Sequence, residues 1–397
     1  MDQVELYDHR REYYIYYKRT VFDYFDKIEK DGFADANAEL LPFRKMNMSP
    51  RDLSNVTGSL YTYLMNGHSP DMNWTGQFKP GETVRLRVIN ASAMSHFDVR
   101  IPGLDMSVVM KDGKAVRPVD CHEFRIGIAE TYDVIIKPRE QKAYTVFAES
   151  LDRSGFTRGT LSPAAGMSAP VPRRRQTPDR KLEDIGMGMM KGKYFGGMDE
   201  KMMKKMHHKR MQMQDSNIPG PKGPMPFMLD KTNPDVAMAV MDPKQRMDDP
   251  GIGLGKDGWK VLTYKDLVSA EPQPYKAEVD RELTINVTAN MERGIFSLDG
   301  KKYTEHPGPY LFRHNERLRL YMVNHTMMEH PMHLHGMWMQ LETGRSNEEL
   351  PFVHTYLLKP GEVASFLVTP IEKGDWAFHC HLLYHMEAGM FQVVRVA

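Results

Sequence analysis

Three histidines, one cysteine and two methionines crowd the twelve residues from His379 to Met390, HCHLLYHMEAGM. A second cluster, HPMHLHG, places His330, His333 and His335 about fifty residues upstream. On an extended strand successive side chains point to opposite faces. His379 and His381 then share one face while Cys380 points to the other, and His333 and His335 share a face of their own strand. One short stretch can in this way serve two metal centres. Two imidazoles, a thiolate and a weak methionine thioether are the ligand set of a blue-copper electron-transfer site. Cys380, His385 and Met390 fit the loop that closes such a site, with His330 as the fourth ligand from a neighbouring strand. Zinc prefers four strong ligands in a tetrahedron, for which Met390 is a poor choice. The remaining imidazoles, His333, His335, His379 and His381, suit further copper ions on the opposite face.

These residues need rigid strands beneath them. The pattern KPGETVRLRVIN predicts a turn at Pro80-Gly81, then a strand alternating Val84, Leu86 and Val88 against Arg85 and Arg87. Further strands are expected near Met106–Val109, Phe124–Ile128, Tyr132–Ile136 and Tyr144–Ala148, with a short amphipathic helix around Tyr24–Glu29. Two regions are copies of each other: RVINASAMSHFDVRIPG overlies YMVNHTMMEHPMHLHG, pairing Asn90 with Asn324 and His96 with His330. The expected architecture is all-β, with two sandwich domains. It comprises a connecting segment over 1–50, a sandwich over 51–165, a linker over 166–255 and a second sandwich over 256–397. In the first copy Val99, Ile101, Phe147, Ala148 and Glu149 stand where the second has its ligands. The first sandwich is a scaffold without a site, and His96 is structural. Cys121, the only other cysteine, is expected to be a buried thiol.

Composition narrows the function classes. A net charge of +1 offers no field for nucleic acid. No apolar run approaches the roughly 18 residues of a membrane-spanning helix. The anomaly is methionine, with 32 residues. Many fall in the linker, rich in Met, Lys and Gly but poor in Val, Ile and Leu, which is expected to be largely disordered. Met187, Met189, Met190, Met198, Met202, Met203, Met206, Met211 and Met213, with His207 and His208, present soft ligands there that select cuprous copper.

HPMHLHG and HCHLLYHMEAGM resemble the two C-terminal copper motifs of the multicopper oxidases, the family of laccases. YLMNG, NWTG, VRIPGL, AETYDVI and DDPGIGL, with the Met-rich insert, are similar to the bacterial copper-resistance protein A branch. The resemblance implies cupredoxin-like Greek-key domains. It implies a type 1 copper on His330, Cys380, His385 and Met390, a type 2 copper on His333, and a type 3 pair on His335, His379 and His381. It implies an enzyme that oxidises cuprous ion or phenols one electron at a time and reduces dioxygen to water, in copper tolerance and in the periplasm. The start of the chain shows no export signal. The family completes its oxygen-reducing cluster with four histidines in HxH motifs of an N-terminal domain, and outside the C-terminal clusters no such motif occurs here, the one close pair being His207-His208. The expectation is a chain lacking that domain and completed by a separate one. The alternative is a blue-copper electron-transfer or copper-sequestering protein without oxidase activity.

Overall fold

The computed structural model describes residues 21–45, 48–188, 224, 227–230 and 232–397. Two helices, α1 (Val21–Asp31) and α2 (Phe33–Lys45), precede the strands, and α1 contains the helix expected around Tyr24. The first sandwich holds β1 (Trp74–Gln77), β2 (Val84–Ile89), β3 (Phe97–Arg100), β4 (Met106–Lys111), β5 (Lys114–Cys121), β6 (Glu123–Ile126), β7 (Thr131–Ile136), β8 (Tyr144–Ser150) and β9 (Phe156–Ser162). The second begins with β10 (Arg281–Asn290), β11 (Ile295–Leu298), β12 (Tyr310–Phe312), β13 (Leu318–Asn324), β14 (His330–Leu334) and β15 (Met339–Leu341). It continues with β16 (Phe352–Val353), β17 (Thr355–Leu358), β18 (Val363–Val368), β19 (Gly374–Cys380), the short helix α3 (Leu383–Glu387) and β20 (Phe391–Val396).

The duplication seen in the sequence is a duplication of topology. One sheet runs β1-β9-β8-β3-β6, and its counterpart runs β12-β20-β19-β14-β17. The facing sheets run β2-β7-β4-β5 and β11-β10-β13-β18-β15-β16, so β10 and β11 are added at one edge. The paired asparagines make the same bonds. Asn90 Nδ2 donates to the carbonyls of Ser95 and Ile126, and Asn324 Nδ2 donates to those of Met328 and Leu358. Each amide oxygen accepts from the residue two positions on, Ser92 and Thr326. A buried carboxylate repeats too: Glu130 accepts the Gly127 N–H and the Tyr264 hydroxyl, and Glu362 accepts the Lys359 N–H and the Tyr356 hydroxyl. Buried polar groups must be satisfied, so the asparagine bonds hold the loops before β3 and β14, and the carboxylate bonds those after β6 and β17, in matching shapes.

A single apolar core joins the sandwiches, from Val99 and Phe124 to Tyr356, Phe378 and Met390. Buried charge joins them as well. Arg125 lays two bonds on Asp98, donates to the Ile252 carbonyl and reaches Glu329, the neighbour of His330, at 3.3 Å. Burial opposes ionisation of Asp98, yet Arg125 and Arg153 outweigh it and hold the carboxyl well below the usual range. Gly251, of DDPGIGL, sits at φ +103 against the Arg125 guanidinium, where a Cβ would collide.

The stretch expected to be disordered is bound to the protein where it is described. Arg175 pairs with Glu123 and Asp257. Ile185, Met187, Met238 and Val240 pack with Phe43, Leu182 and Met327. The apolar residues at the described ends of the stretch supply the burial that holds those ends to the protein.

Replacing Arg125 leaves Asp98 with Arg153 as its remaining guanidinium and takes from Glu329 the guanidinium it faces in the core. Arg125→Met should cost about 3–5 kcal/mol of stability in urea unfolding. Wild-type stability should decline as pH falls below about 4, where an Asp with a depressed folded pKa begins to take up its proton in the unfolded chain. A stability loss below about 1 kcal/mol would show that the ion pairs do not tie the halves together.

Candidate metal centre

The register of β14 against β19 builds the site. Met332 lies opposite Cys380 and His333 opposite His379. Paired residues point to the same face, and so do residues two apart. His330, two before Met332, therefore joins Cys380 on the inner face, while His333, His335 and His379 collect on the other. After Cys380 the chain turns through α3 and returns at Gly389, φ +122, where a Cβ would lie 2.8 Å from the Phe296 carbonyl oxygen. The Met390 N–H donates to the His385 carbonyl (2.9 Å), and the Cys380 N–H donates to the Met390 carbonyl (3.1 Å). These bonds clamp the loop, and Cys380, His385 and Met390 are all 0% exposed.

His330 Nδ1 and His385 Nδ1 stand 3.1 Å apart, and Cys380 Sγ lies 3.6 Å from the first and 3.8 Å from the second. Among the described residues this is the group of three whose ligand atoms all fall within 4.8 Å of one another. Each imidazole is held by its far nitrogen. His330 Nε2 meets Thr326 Oγ1 at 2.7 Å, and His385 Nε2 meets Asn55 Oδ1 at 2.6 Å. An amide oxygen only accepts, so the His385 proton sits on Nε2. The Thr326 hydroxyl donates to the Met328 carbonyl and so accepts from His330. Both Nδ1 lone pairs are therefore aimed at each other and at the sulfur. Metal-binding histidines are supported in this way, with the second N–H given to an oxygen. Phe296 stacks on His385 with ring centroids 3.6 Å apart. Burial pushes His330 down to about 3 and pushes the Cys380 thiol up, so both hold their uncharged forms until a cation arrives.

The opposite face gathers four imidazoles. Ring centroids separate His333 from His335 by 4.5 Å, from His379 by 5.6 Å and from His381 by 5.7 Å. His335 and His379 bring their Nε2 atoms to 3.1 Å. His379 Nδ1 donates to the Cys380 carbonyl (3.0 Å) and His333 Nδ1 to the His354 carbonyl (2.8 Å), which again leaves the Nε2 lone pairs forward. His381 Nδ1 is buried without a hydrogen-bond partner among the described residues. Burial, with smaller contributions from neighbouring imidazoles, lowers His333 to about 3 and His379 to about 4. The donor set, imidazole and thiolate with tautomers preset, fits copper on both faces.

Some supports had no signal in the sequence. Asp112, on the first sandwich, accepts the backbone N–H groups of His354 and Thr355, and so positions the carbonyl that holds His333. Thr326, Phe296 and Asn55 are likewise ordinary residues made important by place. His325 accepts the Val240 N–H and bonds Asn286 within the core. His96 accepts the Ile128 N–H, and Cys121 is buried. Met187, expected among the soft linker ligands, is instead 3% exposed in an apolar cluster, because Ile185, Met238 and Val240 close over it. Met189, Met190, Met198, Met202, Met203, Met206, His207, His208, Met211 and Met213 lie outside the described residues.

Comparison with known proteins agrees with this geometry. Two family models described as multicopper oxidase match residues 20–165 and 276–397. Over 97% of its length the chain is 44% identical to a copper resistance protein A homolog of Pseudomonas syringae pv. tomato, and covers 66% of that protein. It is 43% identical to copper resistance protein A of Escherichia coli, also over 97% of its length, and covers 67% of it. The chain thus spans about two thirds of the length of these relatives. Among solved structures, the 2F4 variant of the multicopper oxidase McoA of Aquifex aeolicus aligns over 85% of this chain and 59% of its own (TM-score 0.51, 14% identity). Fet3p, a multicopper oxidase that functions in iron import, aligns over 82% and 57% (TM-score 0.50, 15% identity). At these identities the structures share the fold, which is the all-β, cupredoxin-like one expected. With its duplicated sandwiches and its paired motifs of histidine and cysteine, the chain belongs to the multicopper oxidase family.

Proposed function

We propose that this chain forms the electron-accepting part of a copper oxidase, with His330, Cys380, His385 and Met390 as ligands of a type 1 copper. His333 would serve a type 2 copper, and His335, His379 and His381 a type 3 pair. The observation that carries this is the convergence of two imidazole lone pairs and a thiol on one wholly buried point. Bound at these two faces, copper would supply one-electron exchange with a donor on one side and four-electron reduction of dioxygen to water on the other. The chain's own part is positional. Asn55 and Thr326 hold the imidazoles, the Cys380–Met390 backbone bond holds the sulfur, and burial excludes water. Cys380 is bonded through the backbone to His379 and His381, so the shortest covalent path between the faces is the residue itself. His354 and Asp112 keep His333 turned toward its neighbours.

The names of the relatives support a role in copper resistance, and the resemblance of the motifs supports cuprous ion or phenols as donors and the periplasm as location. No helix among the described residues is long and apolar enough to cross a membrane. The histidine face gathers four imidazoles, and we propose that an N-terminal cupredoxin domain supplies the rest. A copper-loaded sample of the chain should show the thiolate-to-copper charge-transfer band by itself. It should consume oxygen with a cuprous or phenolic donor only once that domain is supplied in trans. Oxygen uptake absent in both samples, with the band present, would leave an electron-transfer or copper-holding protein; absence of the band would refute the type 1 site.

Cys380→Ser should abolish the band while the fold persists, since the two side chains differ by one atom. Cupric affinity should also rise about tenfold per unit between about pH 6 and pH 8. His330 is already neutral in that window, whereas the thiol, raised by burial, must release its proton to bind. Affinity independent of pH, measured by competitive titration, would contradict the assignment of a thiolate ligand.

A further inference from the structure

The first sandwich carries no metal ligands, yet it and the segment before it reach into the thiolate site. We propose that Asn55 is a positioning residue for that site: it sets the tautomer of His385 from outside the copper-binding sandwich and tunes the copper held there. The assignment rests on the copper reading of the His330–Cys380–His385 pocket.

Three observations converge on it. The Asn55 Oδ1 to His385 Nε2 distance is 2.6 Å, the shorter of the two bonds that support the facing imidazoles. His330 draws its support from Thr326 in its own sandwich, but His385 draws it from a residue 330 positions away. Next, the same lobe grips the helix that carries His385. The Leu383 N–H donates to the Ala93 carbonyl (3.2 Å), and the Tyr384 N–H donates to Met94 Sδ (3.4 Å). Tyr61 shares a side-chain hydrogen bond with Tyr384. Finally, Asn55 is held between buried neighbours, with Leu53 at 1% and Val56 at 2% exposure, while its own side chain is half-buried. His385 is wholly buried. The half-buried amide is therefore held against the imidazole by a buried stretch of chain.

The chemistry follows from proton placement. With an oxygen at Nε2 the imidazole keeps its proton there and its Nδ1 lone pair for the metal. Without that acceptor the buried N–H loses its partner, and the opposite tautomer, which cannot ligate through Nδ1, gains population. A carboxylate in place of the amide would keep the acceptor and add a negative charge beside the imidazole. That charge favours the cupric over the cuprous state.

The test uses the full chain loaded with cupric ion, comparing wild type, Asn55→Ala and Asn55→Asp by competitive cupric titration and by potentiometric titration of the charge-transfer band. Asn55→Ala should bind cupric ion about 10- to 100-fold more weakly. Asn55→Asp should restore near wild-type affinity and shift the reduction potential downward. A residue that only held the fold would give no rescue by Asp and no shift in potential. Wild-type affinity and potential in both variants would overturn the proposal. Should Asn55→Ala fail to fold, Asn55→Asp alone decides, because an unchanged potential in that variant overturns it. A wild-type chain without the band would instead defeat the copper reading itself.

Discussion

Two imidazole nitrogens facing each other at 3.1 Å in a wholly buried pocket repel unless a cation lies between them. Much of the second sandwich serves to hold that arrangement. Thr326 and Asn55 prevent either ring from turning its proton inward, Phe296 covers one face of His385, and the Cys380–Met390 backbone bond fixes the third apex. The same strand that offers Cys380 to this pocket turns His379 away from it, because β19 alternates and is locked in register to β14. A slip of one residue would exchange the two faces and destroy both. The β14–β19 pairing is accordingly the most constrained feature of the fold.

Duplication explains how the constraint is met. Both sandwiches place a buried asparagine and a buried carboxylate at corresponding loops, and the strand orders of their matching sheets correspond apart from the added β10 and β11. Only the second places histidines and a cysteine on β14 and β19. The first has become a support, reaching His354 through Asp112, Glu329 through Arg125 and His385's helix through Ala93 and Met94.

The ligand-type residues were legible because they are local. Within HPMHLHG and HCHLLYHMEAGM, spacing and strand alternation suffice to sort His330 and Cys380 from His333, His379 and His381. The strands at β2, β4, β7 and β8 were legible for the same reason, as alternation between turns marked by Gly and Pro. What stayed hidden was long-range. Nothing about Asn55 distinguishes it from other asparagines until 330 residues of chain bring His385 to it, and Asp112 is one acid among many until β4 meets β17. Met187 shows a different limit. A thioether reads as a soft ligand or as packing with equal ease, and only its neighbours Phe43, Val240 and Met327 decide for packing.

Under the proposed function, β19 feeds two distinct copper centres from its opposite faces. Electron paramagnetic resonance of the cupric-loaded chain tests it most directly when wild type is compared with Cys380→Ser. Two cupric populations should appear in the wild type, one with thiolate character and one with imidazole ligands alone, and the variant should lose the first and retain the second. A single population, abolished entirely by Cys380→Ser, would contradict it.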